Sequence, residues 1–454
     1  MTASTSPLRI GCASGFSGDR TDGATPIVAD LIAQGGGTLI FETLAERTLA
    51  LAQLARNADP QAGYEPLLDD LVTPVLGDCL AHRIPIVSNF GAANPEGAAR
   101  RIADIAVRRG LRAPRTAVIT GDALNSPEQR ELLQASVGVD LNQLEIVSAN
   151  AYLGAREIAQ ALGEGADIVV AGRVADPSLT LGPAMAHFGW AWDDWAKLGR
   201  ATMAGHMLEC GTQVTGGYYA VPGLKDVPGL DRTGFPIATL DAQGEFDITK
   251  PAGTGGLVNT AIATEQLLYE VHDPAAYLTP DVVADLSQAR VEQTGTDRVA
   301  VRGLTGHRRP DSLKVNICYR GGWLAEAEIS YAGVQAEARA RLAAEIVQRR
   351  IGQALTLRID LIGALSILAD DGGILAGGRP YTDGRDVRLR VAASHADRGT
   401  AERVLREVTA LYCCGPAGGG GVRTSLRQRL NMISTHIDRH AVMSGWHFLG
   451  EARP

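Results

Sequence analysis

The sequence DIVVAGRVADPSLTLGP at residues 167–183 decides the fold, because it contains a strand, a polar loop and a helix start. The predicted strand at residues 167–171 is apolar after Asp167 and leads into Gly172 and Arg173. Asp176 followed by Pro177 is a typical helix start, with an N-cap residue before a proline in the first turn. This order predicts one βα unit of a parallel sheet.

The same order recurs along the preceding part of the chain. We predict strands at residues 8–13, 38–41, 84–88, 116–120 and 145–148, each followed by a helical pattern. The loops after these strands are rich in glycine, carboxylate, amide or arginine and cover residues 15–20, 42–47, 89–95, 121–122 and 150–152. Because the carboxyl ends of parallel strands meet at one edge, where such folds bind ligands, these loops predict a site there.

The chain of 454 residues is longer than one hydrophobic core usually supports, so two domains are expected. We predict an α/β fold with a doubly wound, mostly parallel sheet over residues 1–225. A β-rich, α+β second lobe then occupies residues 226–454. This lobe is predicted from a hairpin at residues 236–250, strands at 298–303, 313–319, 323–331, 355–362 and 386–393, and helices at 335–351, at 400–411 and near the C-terminus.

Composition limits the partners. A net charge of −8 disfavours broad contact with nucleic acid or an anionic membrane, so small molecules are the expected ligands. The six cysteines show no framework spacing, and neither an export signal nor an apolar run of membrane-spanning length is visible, so we expect a cytoplasmic protein. We also expect a homo-oligomer.

The first loop contains the candidate catalytic Asp19 and the candidate substrate-binding Arg20. Its glycines superficially match a dinucleotide fingerprint, with Glu42 in the place of a ribose-binding acid. The spacing is wrong, however, and Asp19 would meet the pyrophosphate, which disfavours a nicotinamide cofactor. The alternative for Asp19 and Arg20 is a surface ion pair in a tight turn.

The second loop contains Glu46 and Arg47, both candidates for substrate binding. Thr43 and Glu46 have the spacing of a capping box, which gives Glu46 a structural alternative. Arg47 at a helix N-terminus suits a carboxylate or a phosphate, and its alternative is a solvated arginine.

The later loops contain Asn94, Arg173 and Asp176. Arg173 is a bidentate donor three residues before a carboxylate, so this pair could hold a substrate oxygen while Asp176 acts as a base. Asn94 is a candidate substrate-binding residue. The alternatives are N-caps for Asn94 and Asp176 and an internal ion pair between Arg173 and Asp176.

The segment 205–218 brings together His206, Glu209 and Cys210, which we take as candidate catalytic residues. His206 and Cys210 are four residues apart and could share a helix face, as a thiolate–imidazolium pair requires. A buried, inert cysteine is the alternative.

A glycine-rich loop at residues 415–421, called the glycine loop below, is a candidate phosphate site. Successive backbone N–H groups without Cβ atoms can surround an anion, such as a phosphate of a coenzyme A moiety. The proposed phosphate-binding residues are Gly418, Gly419, Gly420, Gly421 and Arg423; a flexible linker or a subunit contact is the alternative. No metal site is predicted, although His436 and His440 could share a helix face.

These motifs resemble the acyclic terpene utilisation AtuA family over nearly the whole chain. The resemblance lies in GFSGDR (15–20), FETLAERTLALAQ (41–53), NFGAANP (89–95), AGRVADPSLTLGP (171–183), GHMLECGTQVTGGYY (205–219), DVPGLDRTGFPIA (226–238), KPAGTGG (250–256) and CGPAGGGGVR (414–423). It implies a setting in acyl-CoA carboxylation and branched-acid catabolism. Some members of the family carry a C-terminal ferredoxin-like domain and others have it as a separate polypeptide, so the resemblance implies a small companion subunit.

Three functions are therefore expected, in decreasing order of support. The first is an enzyme of acyl-CoA or small branched-carboxylate metabolism, of hydratase, dehydratase or lyase type, without a redox cofactor. The second is a non-catalytic subunit that binds an acyl group or assists assembly with a small ferredoxin-like partner. The third is a nucleotide-dependent oxidoreductase.

Overall fold

The computed structural model describes residues 4–366, 369–378 and 385–451, and the chain forms two compact units. Unit 1 comprises Met1–Cys318 and Met432–Pro454, and unit 2 comprises Tyr319–Asn431. The chain leaves unit 1 after residue 318 and returns to it after residue 431. The sequence pattern instead predicts one domain boundary, after residue 225. Five strands C-terminal to residue 225 still belong to the main sheet of unit 1.

The main sheet of unit 1 has ten strands. Five central strands run parallel in the order β1, β2, β3, β6, β4, which confirms the α/β class. Antiparallel strands extend both edges: β7, β8, β12 and β11 beyond β1, and β18 beyond β4. The strands are β1 (Leu8–Cys12), β2 (Thr38–Phe41), β3 (Ile86–Ser88), β4 (Thr116–Thr120), β6 (Ile168–Val170), β7 (Ile237–Leu240), β8 (Phe246–Thr249), β11 (Arg290–Gly295), β12 (Arg298–Arg302) and β18 (Gly445–Phe448).

Helices cover both faces of this sheet, so the doubly wound arrangement is confirmed. Alternate residues of the parallel strands point to opposite faces, and each face has its own hydrophobic cluster. Ile10 and Val169 belong to one cluster and Leu39 and Ile168 to the other. The helices are α1 (Ala24–Ala33), α2 (Glu46–Ala58), α3 (Leu68–Val72), α4 (Leu76–His82), α5 (Pro95–Arg108), α6 (Pro127–Ser136), α7 (Arg156–Gly163), α8 (Ser178–Phe188), α9 (Trp195–Glu209) and α10 (Thr260–Leu268).

One predicted strand lies outside the main sheet. Strand β5 (Ile146–Ala151) pairs with the long strand β14 (Ser312–Ala332), because β18 already occupies the free edge of β4. A separate three-stranded antiparallel sheet contains β9 (Tyr277–Leu278), β10 (Val283–Asp285) and β13 (Thr305–His307). The last residues of β5 therefore approach the carboxyl ends of the parallel strands from outside the main sheet.

Apart from the short helix α12, unit 2 follows a β-α-β-β-α-β order, with two long helices packed on one face of a four-stranded sheet. The spatial order β15, β16, β14, β17 is that of a ferredoxin-like fold. Its elements are the second half of β14, α11 (Ala336–Ile351), β15 (Arg358–Ile362), α12 (Ile374–Gly378), β16 (Asp386–His395), α13 (Arg398–Cys414) and the first half of β17 (Gly420–Asp438).

Two sequence interpretations of this region are corrected by the structure. The strands predicted at 313–319 and 323–331 are one continuous strand, β14, which passes through a glycine pair. His436 lies on β17 and His440 in a short 3-10 turn, so the two do not share a helix face. Within the described residues, no helix is both long and apolar enough to cross a membrane.

Candidate functional site

Arg173, after β6, joins three of the loops that the sequence predicts to converge. Its side chain is only 2% exposed, and its guanidinium donates to the carbonyls of Leu44 and Val174 and to the carboxylate of Asp176. Its backbone N–H donates to Oδ2 of Asp122 at 3.0 Å. The loops after β2, β4 and β6 therefore meet at one residue, as strand order requires.

Glu42, at the end of β2, is buried beside this arginine. Its Oε1 accepts hydrogen bonds from the Nδ2 of Asn89 at 2.9 Å and from the backbone N–H of Leu44 at 2.8 Å. Burial raises the pKa of Glu42 to about 8; the charge of Asp176 adds to this rise and that of Arg173 opposes it. Glu42 therefore keeps its proton to a higher pH than an ordinary glutamate does.

Asp122, after β4, completes what we call the Arg173 cluster: Arg173, Asp176, Glu42 and Asp122. Besides the N–H of Arg173, Asp122 accepts from the Nδ2 of Asn150 on β5 at 2.9 Å. Burial raises the pKa of Asp122. A Cβ atom at Gly172 would lie 2.8 Å from Oδ2 of Asp122, so the glycine permits this close approach.

A second group of polar residues, the Tyr152 cluster, contains Tyr152, Glu46, Lys314 and Asn316. The hydroxyl of Tyr152 donates to Oε1 of Glu46 at 2.6 Å, and Nδ2 of Asn316 donates to the same oxygen at 3.1 Å. The ammonium of Lys314 lies 3.4 Å from that oxygen. Although burial opposes it, the hydrogen bond from Tyr152 and the charge of Lys314 help to lower the pKa of Glu46 to about 2, so Glu46 is an anion.

The ring of Tyr152 connects the two clusters. The guanidinium of Arg173 lies 4.6 Å from the ring centroid, and the ammonium of Lys314 lies 4.7 Å from it. Contacts of this kind attract cations to the ring face. The two cations and the ring thus form one connected charged wall.

This wall borders a cleft of about 220 Å³ in unit 1. Asp176 and Lys314 both line the cleft, with side chains that are 35% and 42% exposed. The remaining lining residues are mostly apolar or neutral: Tyr152, Ala175, Pro177, Tyr277, Leu278, Thr279, Pro280, Pro310, Ser312, Leu313 and His436. A cleft of this size suits a small ligand with an apolar part and an anionic end.

Three predicted site residues make contacts that stabilise the fold, and a fourth, Arg47, lies on the surface. Asp19 accepts the backbone N–H groups of Gly15 and Arg20, while the Arg20 side chain pairs with Asp22. Asn94 caps α5. Arg47 is exposed on α2 and does not line the cleft.

The capping-box interpretation of Glu46 is wrong. Helix α2 begins at Glu46 itself, Ala45 is the N-cap and no side-chain cap bond forms there. The Glu46 carboxylate instead accepts from Tyr152 and Asn316, which are distant in the sequence.

His206 and Glu209 form a buried pair at the end of α9. Nε2 of His206 donates to the carbonyl of Gln266 at 3.0 Å, because a carbonyl can only accept, and Nδ1 lies 2.9 Å from Oε1 of Glu209. Burial raises the pKa of Glu209 to about 7 and that of Cys210 to about 12. Cys210 is therefore a thiol at neutral pH, and its nucleophilic role stays a prediction that this geometry does not support.

The candidate phosphate-binding residues belong to unit 2, whereas the residues that line the cleft belong to unit 1. These candidates are Gly418, Gly419, Gly420, Gly421 and Arg423. Arg423 is exposed on β17. In the described part of the chain, no group of three or more His, Cys, Asp or Glu side chains is arranged to hold a metal ion.

Three features of the site were not predicted from the sequence: Lys314, Asn316 and the place of His436 in the cleft wall. Lys314, Asn316 and Cys318 alternate along β14, which puts them on one face of that strand. This alternation of polar residues in a predicted strand was the available signal. Nothing local indicated that the strand would pair with β5.

Comparisons with known proteins give one informative match. No curated protein matches this chain. Among solved structures, the de novo designed protein Foldit4 aligns with 24% of this chain and 97% of its own length, at 15% identity and a TM-score of 0.16, which is too low to support an argument. Residues 8–448, however, match the family described as acyclic terpene utilisation family protein AtuA, and these residues contain both clusters and the cleft. The chain therefore belongs to the AtuA family.

Proposed function

We propose that the cleft of unit 1 binds a small acyl substrate, either a branched carboxylate or its coenzyme A thioester, and that Asp176 moves a proton on it. The reaction class is hydration, dehydration or a related lyase step. The observation that carries the proposal is the place of Asp176, which is fixed by a buried arginine and lines a mostly apolar cleft.

Asp176 has the features that a general base needs. Its Oδ1 is paired with Arg173, whereas its Oδ2 has no hydrogen-bond partner within the described residues. Burial raises the pKa of Asp176, while the charge and the hydrogen bond of Arg173 oppose this rise and hold the carboxylate in one orientation. Oδ2 therefore remains available to accept a proton from a substrate carbon or water.

Lys314 supplies the anchor for the substrate. Its ammonium has three donors, of which one makes a long hydrogen bond of 3.4 Å to Glu46, and it lies 4.7 Å from the centroid of the Tyr152 ring. A substrate carboxylate or thioester oxygen would take a second donor at the mouth of the cleft. Leu278, Leu313 and the prolines of the wall would contact the apolar part of the acyl group.

The experiment uses the full chain with a panel of branched acids and acyl-CoA thioesters in D₂O. Mass spectrometry follows deuterium incorporation next to the carbonyl and the gain or loss of water. Asp176→Asn should lower the rate about 100-fold or more, since general acid–base catalysis contributes about 10²–10⁴-fold.

Asp69→Asn is the matched control, because Asp69 also pairs with an arginine and is 38% exposed but lies outside the cleft. This variant should keep the native rate. A native rate in Asp176→Asn would contradict the proposal. Binding without turnover of any substrate would favour the acyl-binding subunit.

The oxidoreductase alternative gains no support from the loop after β1. The N–H groups of Gly15 and Arg20, which a pyrophosphate would need, already donate to the carboxylate of Asp19 at 2.9 and 2.7 Å. The cytoplasmic location, the homo-oligomer and the small ferredoxin-like companion stay predictions.

A further inference from the structure

The glycine loop of unit 2 lies over a buried tyrosine whose hydroxyl has no partner. Tyr331 is 0% exposed, and its OH finds no acceptor among the residues that the structure describes. A Cβ atom built on Gly419 would lie 3.2 Å from Cζ of Tyr331, the carbon that carries the hydroxyl. The hydroxyl end of the ring is therefore at the loop.

Arg339, in the first turn of α11, lies beside the same loop. Its Nη1 donates to the carbonyl of Ala417 at 2.7 Å, and this nitrogen is 2.9 Å from the place of a Cβ on Gly418. Its buried Nε has no acceptor within the described ranges. The guanidinium thus lies at the side of the loop through Nη1, while its Nη2 donates to the carbonyls of Ala332 and Val334.

The backbone of the loop adds further donors. Gly418 has a φ of +73°, a conformation that a residue with a side chain rarely adopts. The N–H groups of Gly418 and Gly419 have no acceptor in the described part of the chain. Successive free N–H groups next to a left-handed residue form an anion-binding concavity.

All of these donors attract negative charge, and the loop itself contains no negatively charged side chain. Residues 415–423 contain no Asp or Glu. Burial raises the pKa of Tyr331, so its hydroxyl keeps its proton at neutral pH and can donate. Unpartnered buried donors are costly, which an anion in this place would relieve.

We propose that the glycine loop, Tyr331 and Arg339 form an anion site for a phosphate group. The site lies entirely in unit 2 and does not depend on the proposed function of the cleft. Arg423, which the sequence analysis included, is not part of it.

The test titrates the full chain with inorganic phosphate by isothermal calorimetry, at constant ionic strength in a buffer without phosphate. Tyr331→Phe removes only the hydroxyl and should weaken binding about tenfold or more, because a hydrogen bond to a charged group is lost. Saturable binding in the native chain that weakens in this variant supports the site. Absence of saturable binding, or equal affinity in Tyr331→Phe, overturns it.

Two glycine variants form a matched pair. Gly419→Ala places a methyl group 2.8 Å from Cδ1 of Ile329 and 3.1 Å from Cε1 of Tyr331, so it should displace the loop and abolish binding. Gly377→Ala, in the same unit but outside the loop, meets no atom within 4 Å and should bind normally. Equal binding by both variants contradicts the proposal. Thermal unfolding without phosphate checks that both are folded.

Competition experiments identify the source of the phosphate. ADP and coenzyme A displace inorganic phosphate if the site takes a nucleotide phosphate, and neither competes if it takes the free ion. Asp176→Asn should bind phosphate like the native chain, so a failure of the cleft proposal and a failure of this one are separable.

Discussion

Arg173 holds three loops together from a buried position, so its removal should affect stability before it affects chemistry. The sequence predicts that Arg173 holds a substrate oxygen, so Arg173→Ala would be expected to remove binding and leave the fold intact. Burial changes that expectation, because the carbonyls of Leu44 and Val174 and the carboxylate of Asp176 would lose their donor.

We predict that Arg173→Ala lowers the free energy of unfolding by about 3–5 kcal/mol, the usual effect of breaking a buried ion pair. Urea denaturation measures this change. Arg20→Ala is the control, because Arg20 pairs with Asp22 at the surface, where such pairs contribute about 0–1 kcal/mol. Equal effects of the two substitutions would contradict the structural role of Arg173.

Glu42 should make stability depend on pH. Its pKa is about 8 in the folded chain and about 4.3 in an unfolded one, so the folded state holds the extra proton between these values. Stability therefore falls as pH rises through this window, by up to about 1.4 kcal/mol per pH unit for this proton.

Glu42→Gln should remove this part of the pH dependence, because glutamine keeps an oxygen to accept from Asn89 and Leu44 without titrating. The variant should match the native chain near pH 4 and exceed its stability at pH 8. Unfolding curves at several pH values measure the difference. Parallel pH profiles of the two chains would show that Glu42 is already ionised in the folded state.

The side-chain partners of individual site residues could be predicted from the sequence only in part. The Arg173–Asp176 pair lies within four residues, and its internal ion pair was one of the two stated alternatives. Glu46 was predicted to bind substrate, with a local helix cap as the alternative, whereas its partners Tyr152 and Asn316 are 106 and 270 residues away. No local spacing can indicate partners at such separations.

Among the secondary-structure elements, helix α5 shows how one cap can also fix a neighbouring segment. Oδ1 of Asn94 accepts the N–H of Gly97, while Nδ2 donates to the carbonyls of Pro60 and Ala62. Asn259 caps α10 in the same way, by accepting from Ile262.

We predict that Asn94→Ala destabilises the chain by at least about 1 kcal/mol more than Asn259→Ala, which should cost about 1 kcal/mol as a cap alone. Asn94→Asp keeps the cap acceptor but loses both donated bonds, so it should fall between the native chain and Asn94→Ala. Chemical denaturation ranks the variants. Equal costs for the two alanine substitutions would mean that the bonds to residues 60 and 62 contribute nothing.

The short parallel strands were predicted within about two residues, because each is an apolar run between polar loops. Strand β14 was not, because Gly321 and Gly322 were interpreted as a break. The strand continues through them since a Cβ on Gly322 would lie only 2.3 Å from the carbonyl of His395, and glycine permits this approach. Such a requirement appears only once the neighbouring chain is in place.

At the level of the whole molecule, unit 2 interrupts unit 1 between two neighbouring strands. Strands β14 and β17 pair, and within unit 1 Ser434 donates to Oδ1 of Asn316 at 2.7 Å. Each unit has its own hydrophobic clusters. A local sequence pattern cannot show that residues on either side of an insertion of this length belong together.

We predict that unit 1 folds when residues 319–431 are replaced by an Asn-Gly turn between β14 and β17, because its clusters contain only its own residues. Circular dichroism should show one cooperative thermal transition. A chain truncated after residue 431 is the contrast, because it lacks β18 and leaves the edge of β4 unpaired. A shortened chain without a cooperative transition would show that unit 1 requires unit 2.

The insertion also sets an order of events during protein synthesis. Ser434, His436 and β18 follow unit 2 in the chain, so the ribosome completes unit 2 before it supplies the last wall of the cleft. At about 5–20 residues per second, translation of residues 319–431 takes on the order of ten seconds. During that interval β4 is an unpaired edge strand of the nascent sheet, because β18 has not yet been made. An exposed strand edge can pair with other chains, so this is the period in which a chaperone would be most useful.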